Sequence, residues 1–165
     1  MKLQIILNER DVENIVPNPL NTIPNWHEFL TMFEEAEHDY YKELNYINGL
    51  LTDDGKDARP RTERSKTYRK NVQTLHAKFT KHITLPIKDL VSIEPDLDGD
   101  WLIKLQKSPA TELPSVHQYN GKNIILNGNH RVAARFLSGY SYVKVALVSG
   151  NDIEKETDRL WELRN

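Results

Sequence analysis

The segment Ile124-Ile125-Leu126-Asn127-Gly128-Asn129-His130-Arg131-Val132-Ala133-Ala134 constrains this chain more tightly than any other. An apolar, β-branched run ends at Asn-Gly and passes straight into good helix formers, which reads as strand, tight turn and helix start. Gly128 permits the turn and, having no side chain, lets a ligand approach the backbone. The first N–H groups of the helix behind it lack intrahelical partners, and the helix dipole adds positive potential there. Such an end suits an anion. His130 and Arg131 add side-chain donors: Arg can grip phosphate oxygens with two, and His can donate or work as acid or base. A glycine turn beside a surface His-Arg pair also occurs without any ligand, so spacing alone leaves both readings open.

The rest of the chain divides near residue 81. Before it, a strand is expected at Lys2–Leu7, then a proline-rich loop holding Pro17, Pro19 and Pro24. Asn25 with Glu28 reads as a capping box opening a long helix to about Leu51, with Trp26, Phe29, Phe33, Tyr40, Tyr41 and Leu44 at helical spacing. A second helix is expected over Ser65–Phe79, striped by Tyr68, Val72 and Leu75. After residue 81 the texture changes to short strands and turns: Ile83–Leu85, Leu90–Ile93, Pro114–Tyr119, Lys122–Leu126 and Tyr142–Val148. Asn120-Gly121 is a hairpin signal, and Gly139 is a left-handed stop for a helix over Asn129–Ser138. Asp98 or Asp100 can cap a helix carrying Trp101, and Asn151 with Glu154 reads as a capping box for a last helix. The expected fold is α+β: a helical region over 1–81, packed on a small mixed sheet in 82–165.

The chain has 165 residues and no cysteine, which removes disulfides, thiolate metal sites and cysteine nucleophiles. No signal peptide and no membrane span is legible, so a cytoplasmic protein without membrane contact is expected. The net charge of −2 hides a basic segment over 56–81 behind an acidic one. Within it Arg59, Arg61, Arg64, Lys66, Arg69 and Lys70 are candidates to grip a DNA or RNA backbone. A solvated helix face is the plainer alternative, and Tyr68 is the only aromatic between Arg59 and Lys70 to stack a base. The histidines show no metal-binding spacing, and no metal ligand is assigned.

From about Ile83 to Val148 the chain resembles the ParB/sulfiredoxin superfamily. The resemblance rests on Leu126-Asn127-Gly128-Asn129-His130-Arg131-Val132-Ala133-Ala134, on the hairpin before it and on Gly139-Tyr-Ser-Tyr-Val-Lys-Val-Ala after it. It implies a turn that holds nucleotide phosphates through Asn127, Gly128, Asn129, His130 and Arg131. It implies a nucleoside triphosphate such as ATP or CTP as ligand, with Mg2+ where catalysis occurs. Two departures narrow the activity. The sulfiredoxin reaction needs a cysteine just before His-Arg, where this chain has Asn129. Kinase-like and nuclease-like members place Asp at the strand end, where this chain has Asn127, and an amide is no general base. The 17 residues of this sequence after the last expected strand do not hold the DNA-reading helices of partition clamps, so that role is not expected. Catalysis would then rest on His130 with Glu94 or Asp96, and Glu112 is a further candidate acid; each carboxylate also reads as a solvated loop group or cap. Two functions remain. One is a nucleotide-binding enzyme of phosphoryl transfer or phosphodiester hydrolysis. The other is a non-catalytic nucleic-acid-binding or regulatory protein with a nucleotide-sensing or vestigial site. Oligomeric state is not legible.

Overall fold

A computed structural model describes residues 14–23 and 26–164, the side chain of Trp26 excepted. The strand expected at Lys2–Leu7 and the cap expected at Asn25 lie outside these residues. The described chain is α+β and forms two compact units. One comprises residues up to Trp26 together with Lys81–Leu147; the other comprises His27–Thr80 and Val148–Asn165.

The first unit is built on a mixed sheet. Strands β2 (Thr80–Pro86), β3 (Leu90–Val91), β5 (Ser115–Tyr119), β6 (Lys122–Asn127) and β7 (Tyr142–Ser149) lie in the order β2-β7-β5-β6-β3. β5 and β6 are antiparallel, whereas β3 runs parallel to β6. Their hairpin is closed by Asn120 and Gly121 at φ 50° and 73°, the left-handed pair that matches strand twist. That turn sets Val116 opposite Ile125 and His117 opposite Ile124, all buried. Helices α3 (Gly99–Lys107) and α4 (Asn129–Leu137) pack on each other. Leu102, Leu105, Val132 and Ala133 join Val116, Ile125 and Val145 in one core. Asp98 caps α3 by accepting from the N–H groups of Asp100 and Trp101 at 2.9 and 3.2 Å. α4 ends as expected: Gly139 sits at φ 92°, its N–H bonds the Phe136 carbonyl, and the Tyr140 N–H reaches back to Arg135. The proline-rich stretch is not all loop, because β1 (Ile15–Pro17) pairs antiparallel with β4 (Asp96–Asp98). Strands this short lack any alternation that a sequence could display.

The second unit holds α1 (Trp26–Ile47), α2 (Arg61–Lys78) and α5 (Gly150–Arg164). Tyr41, Leu44, Leu75, Val148 and Ile153 form its core. The Tyr41 hydroxyl lies 2.6 Å from His76 Nε2, and burial raises its pKa well above that of free tyrosine. Three helix ends differ from expectation. α1 stops at Ile47 because Gly49, at φ 72°, takes the left-handed position, and the Leu50 N–H returns to the Asn45 carbonyl. α2 opens at Arg61, directly behind Pro60, where a fixed φ already suits helix entry. α5 opens at Gly150, and its cap is the Ser149 hydroxyl accepting from the Asp152 N–H at 3.3 Å, rather than Asn151.

Within this unit Glu156 accepts from Arg159 twice at 2.9 Å and from Lys78 at 2.5 Å. Arg159 first, and then Lys78, hold its carboxyl down at about 2, against an ordinary value of 4.5. A depressed folded-state pKa contributes stability that is present above the ordinary value and lost as pH falls through the folded one. The urea midpoint should therefore fall more steeply between pH 4.5 and 2 in the wild type than in Glu156→Gln. Parallel pH curves for the two proteins would show that this triad contributes nothing.

Candidate functional site

Gly128 joins β6 to α4 at φ 96° and ψ 25°, a left-handed conformation that L-residues adopt at a cost. A methyl group built there would lie 2.9 Å from Arg131 Nη2, 3.0 Å from Arg131 Nε and 3.0 Å from Pro114 Cβ. The space a side chain would fill is thus occupied by a guanidinium folded back across the turn. No side chain caps α4 at this end, so its first N–H groups keep their outward direction. Arg131 Nη1 donates to the Glu112 carbonyl at 2.6 Å and lies 3.8 Å from the Glu112 carboxylate, most of which is exposed. These bonds tie the loop before β5 to the start of α4.

A cavity of about 340 Å3 opens over this turn. Asn127, Gly128, Asn129, His130 and Arg131 all line it, as do Glu94, Glu112 and the half-exposed Trp101. Leu105, Ala110, Glu112 and Arg131 also line a second cavity of about 390 Å3, so the two are neighbours along α4. The second continues to Tyr140, where the Arg135 guanidinium lies 4.2 Å from the ring centroid.

Several residues occupy roles that their types did not announce. Asn129 is buried, and its Oδ1 accepts from the Ser92 hydroxyl at 2.5 Å. Its Oδ1 therefore serves the interior, and its backbone N–H is left to face an anion. Ser92, fully buried, accepts in turn from Asn18 Nδ2 at 2.7 Å and from the Glu94 N–H at 3.3 Å. Asn18 also donates to the Glu94 carbonyl at 2.7 Å and accepts from the Leu20 N–H at 3.0 Å. This chain of amides and a hydroxyl fixes the backbone at Glu94 relative to α4. Neither Asn18 nor Ser92 was singled out from the sequence. The only hint was an Asn between two prolines.

His130 Nε2 accepts the Asp98 N–H at 2.9 Å. That bond assigns the neutral ring its proton on Nδ1, leaving a donor to offer. Glu94 reaches the cavity of the turn; Asp96 lies exposed on β4, opposite Pro17, and does not line it. Among the basic residues, Arg61, Arg64 and Arg69 line a cavity in the helical unit, whereas Arg59, Lys66 and Lys70 do not. No described helix is long and apolar enough to cross a membrane.

No protein-family model matches the chain, and no curated protein matches its sequence. In structure the chain is similar to the crystal structure of sulfiredoxin from Arabidopsis thaliana. The two share 16% identity at a TM-score of 0.39, over 48% of this chain and 98% of that one. No residue role is carried over from it.

Two substitutions probe the architecture of the turn. Gly128→Ala should cost ~1–2 kcal/mol in chemical denaturation, because the conformation is left-handed. Ser92→Ala should cost ~1–3 kcal/mol, because it strips Asn129 Oδ1 of its donor inside the core. Wild-type midpoints for both variants would contradict this description.

Proposed function

We propose that the chain is a nucleotide-binding protein of ParB/sulfiredoxin type, whose phosphate site is the start of α4. The supporting observation is the folded-back Arg131, which lies over a side-chain-free, left-handed Gly128 at an uncapped helix end. In that arrangement the Asn129, His130 and Arg131 N–H groups and the Arg131 guanidinium converge on one anion. His130 contributes its Nδ1 proton as a hydrogen-bond donor; its Nε2 is held by the Asp98 N–H and is not the base. The adjoining cavity at Arg135 and Tyr140 offers room for the nucleoside, and its size falls in the range of small-molecule sites.

Where the phosphate is transferred or hydrolysed, Glu94 is the acid in place. It lines the same cavity, and Asn18 and Ser92 fix its backbone. Glu112 lines it too but leans toward Arg131. A carboxylate facing phosphate oxygens is the hard-oxygen donor set that suits Mg2+, which would neutralise charge on the phosphates. Asn127 supplies an amide where a base would be needed, so holding the nucleotide is the primary reading and turnover the secondary one.

Calorimetry with ATP, CTP, GTP and ADP in magnesium separates these readings. At least one nucleotide should bind, Arg131→Ala should weaken it about tenfold or more, and Glu94→Gln should leave binding without magnesium unchanged. Failure of every nucleotide to bind the wild type would defeat the proposal. Binding without product, with serine or DNA supplied as acceptor, would select the sensor over the enzyme.

A further inference from the structure

The cations at the start of α2 are not alike. Arg59 is engaged: its Nε and Nη2 donate to the Asp57 carboxylate at 3.1 and 2.8 Å, and its Nη1 to the Thr67 hydroxyl at 2.5 Å. Asp57 is the only acid lining a cavity of about 560 Å3 between the end of α1, the turn over 51–57 and the start of α2. Lys42, Arg61, Arg64 and Arg69 line that cavity, and among the described residues the charged group of none of the four is in an ion pair or hydrogen bond. Arg61, Arg64 and Tyr68 recur at three- and four-residue steps and so share one face of α2. α2 also begins at Pro60 without a side-chain cap, so the positive end of its dipole adds to the potential there. Ser65 and Tyr68 line the same wall, the Ser65 hydroxyl donating to the Arg61 carbonyl at 3.0 Å.

Four unpaired cations converging from two helices repel one another, and an anion held among them relieves this. The concavity is open and its four cations are exposed, and its volume falls within the range of small-ligand sites. A nucleic-acid strand is the poorer fit. Lys66 and Lys70 lie outside the cavity, and Tyr68 is the only aromatic on its wall.

We propose that this cavity binds a compact polyphosphate: an anion of two or more linked phosphate groups, gripped by Arg61, Arg64, Arg69 and Lys42. The site is separate from the α4 turn and does not depend on the reading of that turn. The test is a titration of the full chain with pyrophosphate, followed through backbone amide shifts. Saturable shifts are expected at Arg61, Arg64, Ser65 and Tyr68. Affinity read from them should fall about tenfold or more in the Arg61→Gln/Arg64→Gln double variant. It should fall less in Arg61→Lys/Arg64→Lys, which keeps the charge and loses the fork. Arg131→Ala should leave these shifts unchanged. Arg69→Gln, at an exposed position, provides an independent variant expected to weaken binding severalfold. Absence of saturable shifts, or wild-type affinity in the folded Gln variants, would overturn the proposal. So would a fluorescent single-stranded oligonucleotide that binds here and is not displaced by pyrophosphate.

Discussion

The left-handed turn at Gly128 is the constraint on which the sheet-containing unit depends. It lets β6 end and α4 begin without an intervening loop, and it leaves a gap that the Arg131 guanidinium fills. Through that guanidinium the loop carrying Glu112 is tied down, and with it the wall shared by two cavities. The same geometry that closes the fold leaves α4 uncapped and a cation close to its open end. Structure and candidate function therefore rest on one residue with no side chain.

Around that turn, polar groups are divided between inward and outward work. Asn129 turns its Oδ1 to the Ser92 hydroxyl, which in turn accepts from Asn18, satisfying buried groups that would otherwise carry a desolvation penalty. His130 lies one residue later and accepts a backbone N–H from the first residue before α3. Its orientation is set by the fold, which makes it a donor of fixed direction. Glu94, the acid proposed for the site, lies on the loop that the buried network anchors. The start of α4 and the backbone at Glu94 are thus held by one hydrogen-bonded assembly spanning residues far apart in sequence, and in the proposed function that assembly would both hold the phosphate and position the acid.

The α+β class, the β5–β6 hairpin, α4 and the Gly139 stop were legible because each has a local physical signature: a left-handed Asn-Gly pair, an apolar run meeting helix formers, a glycine at a helix end. Helix ends were less legible. Gly49 halted α1 inside a stretch still apolar enough to continue, and Ser149 capped α5 from within a buried strand. β1 and β4 escaped because a three-residue strand has no periodicity and exists only through its partner. The turn itself was readable, but the direction of its side chains was not. That Asn129 faces inward, that His130 is held by Asp98 and that Asp96 misses the cavity where Glu94 reaches it all follow from tertiary contacts. Likewise a run of six cations reads as one basic segment until Asp57 and Thr67 are seen to engage Arg59.

The most direct test follows the backbone amides of the full chain while ATP, CTP or GTP with magnesium is added. With phosphates at the start of α4, the largest saturable shifts of the sheet-containing unit should fall on Gly128, Asn129, His130 and Arg131, and Arg131→Ala should abolish them. Shifts confined to other residues of that unit, or none with any of the three nucleotides, would contradict a phosphate site at this turn.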